Sequence, residues 1–179
     1  HAHVMALFLK YTQSDITPSF PFICLLVSGG HTNIIVVKSH YDFNIIGHTI
    51  DDAAGEAFDK IAKILNLQYP GGPIIDKYAQ NGNSHAFSFS KPNIPDLNFS
   101  FSGLKTSVLY FINNQLKKDP DFINKNINDI CASVQYTIVD ILISKLLMAV
   151  KKTNIHNIAI AGGVAANSLL RQKIIELQN

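Results

Sequence analysis

Near its C-terminal end the chain reads as a β-strand, a glycine turn and an α-helix in direct succession. Residues 155–160 form a β-rich run, AGGVAAN follows at 161–167, and a helical pattern runs over 169–177. A strand that enters a helix through two glycines is typical of α/β proteins, in which the helix packs back on the sheet. The N-terminus of such a helix presents unpaired backbone N–H groups, so this pattern predicts an anion or nucleotide site there.

A second glycine pair ends a strand near the start of the chain. Residues 22–27 (FICLLV) are continuously apolar and lead into Ser28-Gly29-Gly30, which predicts a central strand covered on both faces. The β-branched run at 34–37 and the segment 42–50 follow after short connections, so we expect a meander of three strands. The two glycines could let a ligand phosphate or carboxylate approach the backbone, or they could form a plain hairpin turn.

The rest of the pattern is mostly helical. Apolar residues fall near a 3.6-residue period after Asp51 and Asp52, which are candidate N-caps, and Pro70-Gly71-Gly72-Pro73 ends that helix. The stretch 81–101 lacks a sustained period and is predicted to be a loop with isolated strands. Further helices are predicted over 74–80, over 104–116 with Ser102 as candidate cap, and over 127–152 with Asn126 or Asn128 as cap.

Four acidic residues crowd into nine positions of IDDAAGEAFDKIAKIL (50–65). Glu56 and Lys60 stand four positions apart and are predicted to pair on the helix surface. The acids could form a solvated helix face, which is the commoner role, or hold sugar hydroxyls or a divalent metal. The following YPGGP (69–73) is likewise open between a helix stop and a place where a ligand approaches the backbone.

Composition excludes several classes of protein. Of 179 residues, 47% are hydrophobic and 16% are charged, which is ample for a core and rules out a disordered chain. A formal net charge of +2 does not support a dedicated basic nucleic-acid binder. Cys24 and Cys131 follow no paired spacing and are expected to be buried free thiols in a reducing compartment. No uninterrupted apolar stretch reaches ~18 residues, so no membrane span is expected.

Five segments resemble the TsaD (Gcp) family, the tRNA N6-adenosine threonylcarbamoyltransferases, once described as O-sialoglycoprotein endopeptidases or glycoproteases. The segments are LLVSGGHT (25–32), IDDAAGEAFDKIAKIL (50–65), YPGGP (69–73), FSFSGLKT (99–106) and AGGVAANSLLR (161–171). The resemblance implies an α/β fold of the ASKHA (actin/Hsp70/sugar-kinase-like) type, here incomplete, with a mixed sheet and flanking helices. It also implies transfer of a threonylcarbamoyl group from threonylcarbamoyl-adenylate to N6 of adenosine 37 in tRNAs that read ANN codons, which is the t6A modification.

The family's substrate contacts carry over to this sequence residue by residue. The carboxylate that contacts ribose or substrate falls on Asp59, and no residue is assigned as a catalytic acid or base. The remaining contacts fall on a ligand loop, on a glycine and an acid, and on an asparagine: Leu26, Val27, Ser28, Gly29, Gly30, Gly72, Asp76 and Asn167.

The resemblance also implies one divalent metal, iron or zinc, in the full-length protein. The family's metal histidines come as HxxxH, and His3 matches the second of them. The first would lie two positions before residue 1, and the metal aspartate would lie beyond Asn179. His1 falls inside the motif and is not an expected ligand, and whether it is native stays open. The segment by itself is therefore expected to bind metal weakly or not at all and to be inactive.

The same resemblance sets expectations for partners and domains. The partners are tRNA and, in a bacterium, TsaB- and TsaE-like subunits, with a cytoplasmic location and no membrane contact. Residues 1–20 are expected to end an N-terminal lobe, and residues 21–179 to form a central lobe with a helical insertion at about 74–152, truncated at both ends.

Two other functions stay open on the residues. One is an ASKHA-type ATPase or phosphotransferase, and the other is a non-catalytic nucleotide-binding module. A peptidase has no support, because the sequence contains neither an HExxH motif nor an oriented nucleophile.

Overall fold

A computed structural model describes residues 19–177 of the chain, which form a mixed four-stranded β-sheet flanked by helices. The strands are β1 (Phe22–Val27), β2 (Thr32–Val37), β3 (Phe43–His48) and β4 (Ile158–Ala161). The helices are α1 (Ala54–Ile64), α2 (Gly71–Ala79), α3 (Ser102–Leu116), α4 (Phe122–Thr153) and α5 (Ser168–Glu176), with a 3-10 turn at Gly163–Ala166 before α5. His1, His3 and most of the predicted N-terminal lobe segment lie outside the described residues.

The sheet has the strand order β3-β2-β1-β4. The first three strands form the predicted antiparallel meander, because short turns connect them, and β4 pairs parallel to β1 after the chain has passed through four helices. In the middle of the sheet, Leu25 of β1 stands opposite Ile34 of β2 and Ile160 of β4. All six residues of β1 are buried, so the predicted central strand is confirmed.

Alternate residues of β1 enter two apolar clusters, because successive side chains of a strand point to opposite faces of the sheet. The larger cluster, on the helical side, contains Ile23, Leu25 and Val27, and the smaller cluster contains Phe22, Cys24 and Leu26. Cys24 and Cys131 are both buried and free, as the sequence predicts.

Helix α4, with 32 residues, is the core helix of the larger layer. Among the described residues it is the one helix long and apolar enough, by length and composition alone, to cross a membrane. However, 67% of its apolar window is buried inside the fold, where α4 packs against α2 and α5. Burial against protein explains the apolar composition of this helix.

Asp51 and Asp52 are not the N-caps of α1, contrary to the sequence prediction. The residue before the helix is Ala53, which makes no side-chain cap, and Thr32 Oγ1 of β2 accepts a hydrogen bond of 2.8 Å from the Ala54 N–H. A neighbouring strand thus satisfies a backbone donor that sequence rules assign to a local side chain. The two aspartates are free for other contacts.

The other predicted helix starts also shift. Helix α2 begins at Gly71 and not at residue 74, because the Asp59 carboxylate accepts a hydrogen bond from the Gly71 N–H. Ser102 is the first residue of α3 rather than its cap, and Phe101 precedes it without a side-chain cap. The loop between α2 and α3 is irregular as predicted, apart from a single bridge between Thr49 and Phe99.

Helix α4 begins at Phe122, five residues before the predicted start, so Asn126 and Asn128 lie inside the helix and are not caps. The ring of Phe122 packs against the rings of Phe87 and Phe111, with a centroid distance of 5.8 Å in each case. This aromatic contact comes from residues distant in sequence and holds the additional turn of helix against the core.

Candidate functional site

A cavity of about 330 Å³ opens where the turns after β1 and β4 meet the first turns of α1 and α2. The turn after β1 contributes Gly29, and the 3-10 turn after β4 contributes residues together with Asn167, which follows it. The full lining is Gly29, Gly55, Phe58, Asp59, Tyr69, Pro70, Gly72, Pro73, Asp76, Gly163, Val164, Ala166 and Asn167. These residues lie far apart in sequence, and the parallel pairing of β1 with β4 brings their loops to one edge of the sheet.

Two glycines allow the walls of this cavity to come together. A Cβ atom at Gly55 would lie 2.7 Å from the Ser28 carbonyl oxygen, so only glycine lets α1 start directly against the turn after β1. Gly162 has a φ of 94°, and a Cβ atom there would lie 2.3 Å from the Val27 carbonyl oxygen. Larger residues at either position would push the loops of the site apart.

The SGG turn is both a hairpin turn and an open surface, which resolves the two readings of its sequence. Its hairpin is closed by a hydrogen bond of 2.8 Å from the Ser28 N–H to the His31 carbonyl, and the Ser28 hydroxyl oxygen accepts one from the His31 N–H. A Cβ atom built at Gly29 or Gly30 would meet no atom within 4 Å, so space is open beside both residues. A ligand can therefore approach this backbone.

Asp59 is the half-buried acid of α1 that faces the cavity. Its Oδ1 atom accepts a hydrogen bond of 2.7 Å from the Gly71 N–H, which ties α1 to the start of α2. Its Oδ2 atom accepts no hydrogen bond from any part of the chain that the structure describes. One carboxylate oxygen is therefore structural, and the other stays without a hydrogen bond from the described residues.

The remaining acids of the cluster at 51–59 serve other contacts. Lys60 pairs with Glu56 at 2.9 Å, as predicted from their spacing, and with Asp52 at 2.6 Å. Hydrogen bonds to these two carboxylates raise the pKa of Lys60. Asp51 turns toward α3, and of the four acids in this cluster only Asp59 lines the cavity. Within residues 19–177 no group of three or more His, Cys, Asp or Glu side chains is arranged to hold a metal ion.

Asp76 occupies the N-terminus of α5, where the sequence predicts free N–H groups for an anion. Its carboxylate accepts hydrogen bonds from the Ser168 N–H, at 3.2 Å, and from the Ser168 hydroxyl, at 2.5 Å. Asn167 Oδ1 accepts another from the Leu170 N–H at 3.0 Å. Side chains of the protein therefore already bind two of the donors at this helix N-terminus, the N–H groups of Ser168 and Leu170.

Asn167 forms a hydrogen bond with Gln135, a residue that sequence reasoning missed. Its Nδ2 atom donates a hydrogen bond of 3.1 Å to Oε1 of Gln135 in α4, and both side chains are buried. In the sequence Gln135 is only a polar interruption of an apolar helix. The signal that could have found it is that a buried amide needs a polar partner.

The structure brings five of the nine predicted substrate-contact residues to the cavity: Gly29, Asp59, Gly72, Asp76 and Asn167. Leu26 and Val27 have side chains buried in the sheet, so only their backbone could face a ligand. Ser28 and Gly30 belong to the adjoining turn without lining the cavity. The predicted metal ligand His3 lies outside the described residues.

The apolar and aromatic part of the lining was not among the predicted contacts. This part of the lining consists of Phe58 of α1, Tyr69, Pro70, Pro73 and Val164. Sequence reasoning left the YPGGP segment open between a helix stop and a place of ligand approach, and the family resemblance singled out only Gly72 in it. The exposure of the Tyr69 ring could not be read from the sequence.

Comparison with known proteins bears on both sequence and fold. A family model described as "TsaD: tRNA N6-adenosine threonylcarbamoyltransferase" matches residues 1–179. A curated relative from Christiangramia forsetii with the same description is 57% identical over 173 residues, which are 97% of this chain and 51% of that protein. Another from Riemerella anatipestifer is 58% identical over 175 residues, covering 98% of this chain and 51% of that protein. The chain thus spans about half the length of the curated relatives it matches.

A solved structure shows the same arrangement of strands and helices. Component A of the (R)-2-hydroxyglutaryl-CoA dehydratase from Acidaminococcus fermentans superposes with a TM-score of 0.51 at 17% identity, over 86% of this chain and 51% of that chain. At this identity the likeness concerns the fold alone. It confirms the predicted α/β fold of the ASKHA type, present here over about half of the relative's length.

Proposed function

The chain belongs to the TsaD family, and on that basis we propose that it is the central part of a tRNA N6-adenosine threonylcarbamoyltransferase. The substrates proposed are threonylcarbamoyl-adenylate and adenosine 37 of tRNAs that read ANN codons. The observation that carries the proposal is that segments far apart in sequence meet at one cavity. Four of the five segments that resemble the family, at 25–32, 50–65, 69–73 and 161–171, contribute residues to one cavity.

The fifth segment lies outside the cavity and supports the proposal through its contacts with Asp51. FSFSGLKT (99–106) does not line the cavity, but Asp51 accepts hydrogen bonds from the Phe101 N–H and the Ser102 hydroxyl, at 2.8 Å each. Asp51 itself stands in the segment that carries Asp59. The fifth segment is therefore anchored to the wall of the site.

The proposed reaction transfers an acyl group between two nucleotides. N6 of the adenosine attacks the carbonyl carbon of the threonylcarbamoyl group, a C–N bond forms, and N6 gives up one proton. The bond from that carbon to the phosphate oxygen of the adenylate breaks, and AMP leaves with the electron pair. No residue of the described chain is assigned to take the proton.

The described residues have binding and orienting roles in this reaction. Oδ2 of Asp59 accepts a hydrogen bond from a ribose hydroxyl, because it is the carboxylate oxygen that the fold leaves open. The backbone at Gly29 leaves space for a phosphate or carbonyl group to approach. The Oδ1 bond to Gly71 holds the Asp59 side chain, and hydrogen bonds between Ser28 and His31 hold the turn that contains Gly29, so both groups are positioned before substrate arrives.

A divalent metal, iron or zinc, enters the proposal only through His3, which lies outside the described residues. Residues 19–177 do not themselves supply a metal site. When bound, such an ion would polarise a carbonyl or phosphoryl oxygen. The proposed partners are tRNA and, in a bacterium, TsaB- and TsaE-like subunits in the cytoplasm. A net charge of +2 over the chain is consistent with tRNA binding that is shared with other surfaces.

The proposal is tested with the protein encoded by the complete reading frame around this chain. Asp59→Ala and His3→Ala are each expected to abolish t6A formation, measured by mass spectrometry of digested tRNA. Glu56→Ala is the matched control, because Glu56 stands on the same helix, pairs with Lys60 and does not line the cavity. The control is expected to retain activity. Wild-type t6A formation by Asp59→Ala would refute the assignment of this site, and phosphate release from ATP without tRNA would favour the ATPase alternative.

A further inference from the structure

Tyr69 is a large aromatic residue that the fold does not use for packing. It is 84% exposed, yet it lines the cavity together with its neighbours Pro70 and Pro73. Prolines restrict the backbone, so the segment that carries the ring is stiff. Exposed aromatic rings are common on protein surfaces, but here the exposed ring stands at the rim of the substrate cavity.

The position of Tyr69 relative to Asp59 is set by the hydrogen bond of 2.7 Å from the Gly71 N–H to Asp59 Oδ1. Gly71 is only two residues after Tyr69, so this bond keeps the backbone next to the ring close to Asp59, and both residues line the cavity. A nucleoside carries its base next to its ribose. If ribose hydroxyls bind Asp59, the base therefore lies within reach of the Tyr69 ring.

We propose that Tyr69 is a stacking platform for a nucleobase at the mouth of the cavity. This inference rests on the proposed function, which brings two adenine rings to the site. A base has a π-face whatever its hydrogen-bonding edge, so an exposed aromatic ring binds it without any further polar group. The base that stacks on Tyr69 has two possible sources, the adenine of the adenylate and an unstacked base of the tRNA anticodon loop.

The test uses the full-length protein in three variants: Tyr69→Ala, Tyr69→Phe and Tyr41→Ala. Tyr69→Phe keeps the ring and removes the hydroxyl. Tyr41 is 93% exposed in the turn between β2 and β3 and does not line the cavity, so it serves as the matched control. Binding of AMP is measured by calorimetry, and binding of an anticodon stem-loop RNA by fluorescence anisotropy.

Tyr69→Ala is expected to weaken the binding of one of the two ligands by about 5- to 150-fold, the range that loss of one base–aromatic stack produces. Tyr69→Phe and Tyr41→Ala are expected to stay within about twofold of the wild type. A loss confined to AMP identifies the adenylate as the source of the base, and a loss confined to the RNA identifies the tRNA. Because Tyr69 is mostly exposed, its replacement should leave the thermal midpoint unchanged. Should Tyr69→Ala nevertheless unfold early, Tyr69→Leu removes the π-face while keeping an apolar side chain.

Three results would overturn the stacking platform. The first is an unchanged affinity of Tyr69→Ala for both ligands. This holds even if t6A formation by that variant falls, because Tyr69 would then act through a contact with another protein and not through a base. The second is equal loss in Tyr69→Phe, which would assign the effect to the hydroxyl. The third is equal loss in Tyr41→Ala. If the wild type binds AMP through Tyr69 but forms no t6A, the platform stands and the proposed transferase function fails.

Discussion

Gln135 is a polar residue in the middle of the buried face of α4. It is only 4% exposed, and Asn167, whose Nδ2 atom donates to it, is 8% exposed. Asn167 in turn accepts a hydrogen bond from the Leu170 N–H through its Oδ1 atom, and it lines the cavity. One buried amide pair therefore joins the core helix, the first turn of α5 and the candidate site, and it fixes which end of the Asn167 amide faces which partner.

Replacing Gln135 by leucine is expected to loosen the first turn of α5. Asn167 Nδ2 would lose its buried acceptor, and an unsatisfied buried donor costs about 1–3 kcal/mol. The free energy of opening should fall by that amount, measured by amide hydrogen exchange of the peptide covering residues 161–176. Thr137→Val is the matched control, because Thr137 is also buried in α4 but its hydroxyl donates only to the helix backbone at Ser133. Exchange as slow in the leucine variant as in the control would contradict this role.

At the level of elements, helices in this fold are joined by contacts across the chain rather than by local caps. The carboxylate of Asp51, directly after β3, accepts hydrogen bonds from the Ser100 hydroxyl and from the backbone and hydroxyl groups at the start of α3. Partial burial acts to raise the pKa of Asp51, but the hydrogen bonds from Ser100, Phe101 and Ser102 outweigh it and lower the pKa below its ordinary value.

The lowered pKa of Asp51 predicts a pH-dependent contribution to stability. A carboxyl group whose pKa is lower in the folded state stabilises the fold above its ordinary pKa of about 3.9. That contribution is lost as the pH falls through the lowered value. Asp51→Asn should therefore lower the free energy of unfolding at pH 7 by about 1 kcal/mol, a discounted figure for a partly exposed group.

The measurement for Asp51 is the thermal midpoint of the full-length protein at pH 7 and near pH 3. The difference between wild type and Asp51→Asn should be clear at neutral pH and should shrink in acid. Asp42→Asn serves as control, because Asp42 is an exposed aspartate of the turn between β2 and β3. If the thermal midpoint of the wild type rises further above that of Asp51→Asn as the pH falls, the lowered pKa of Asp51 does not explain the difference.

For the molecule as a whole, both faces of the sheet are closed around apolar clusters, and each cluster contains one cysteine. Cys24 lies in β1 and Cys131 in α4, and both are fully buried. Burial raises the pKa of each thiol to about 12. The thiolate is the reactive form, so neither cysteine should react in the folded protein at neutral pH.

Alkylation of these two cysteines should therefore report unfolding of the whole fold. We expect almost no iodoacetamide adducts on Cys24 or Cys131 at pH 7.5 in native buffer and complete labelling of both in denaturant, measured by peptide mass spectrometry. A cysteine introduced as Asn113→Cys on the exposed side of α3 is the positive control for labelling. Native labelling of Cys24 or Cys131 as fast as that of the control would show that the core opens locally.

The local sequence pattern was sufficient to predict most strands and helices and part of the candidate site. Continuous apolar residues predicted the central strand, and short connections predicted the meander. The glycine pairs predicted where a ligand can approach the backbone. Helix starts were less predictable, because donors at the first turns of α1 and α2 are satisfied by Thr32 and Asp59, which lie far from them along the chain or in another helix.

The sequence by itself determined the α/β alternation, the buried strand, the turns and the membership of the TsaD family, since all of these rest on residue order and short-range periodicity. Only the tertiary structure decided that Asp59 binds the Gly71 N–H through one oxygen, that Asp76 occupies the N-terminus of α5, and that Gln135 supports Asn167. The physical reason is that hydrogen-bond donors and carboxylates take whatever partner the packed chain brings within reach. Those partners are set by the pairing of β1 with β4 and by the path of α4 beneath the sheet, not by neighbours in sequence.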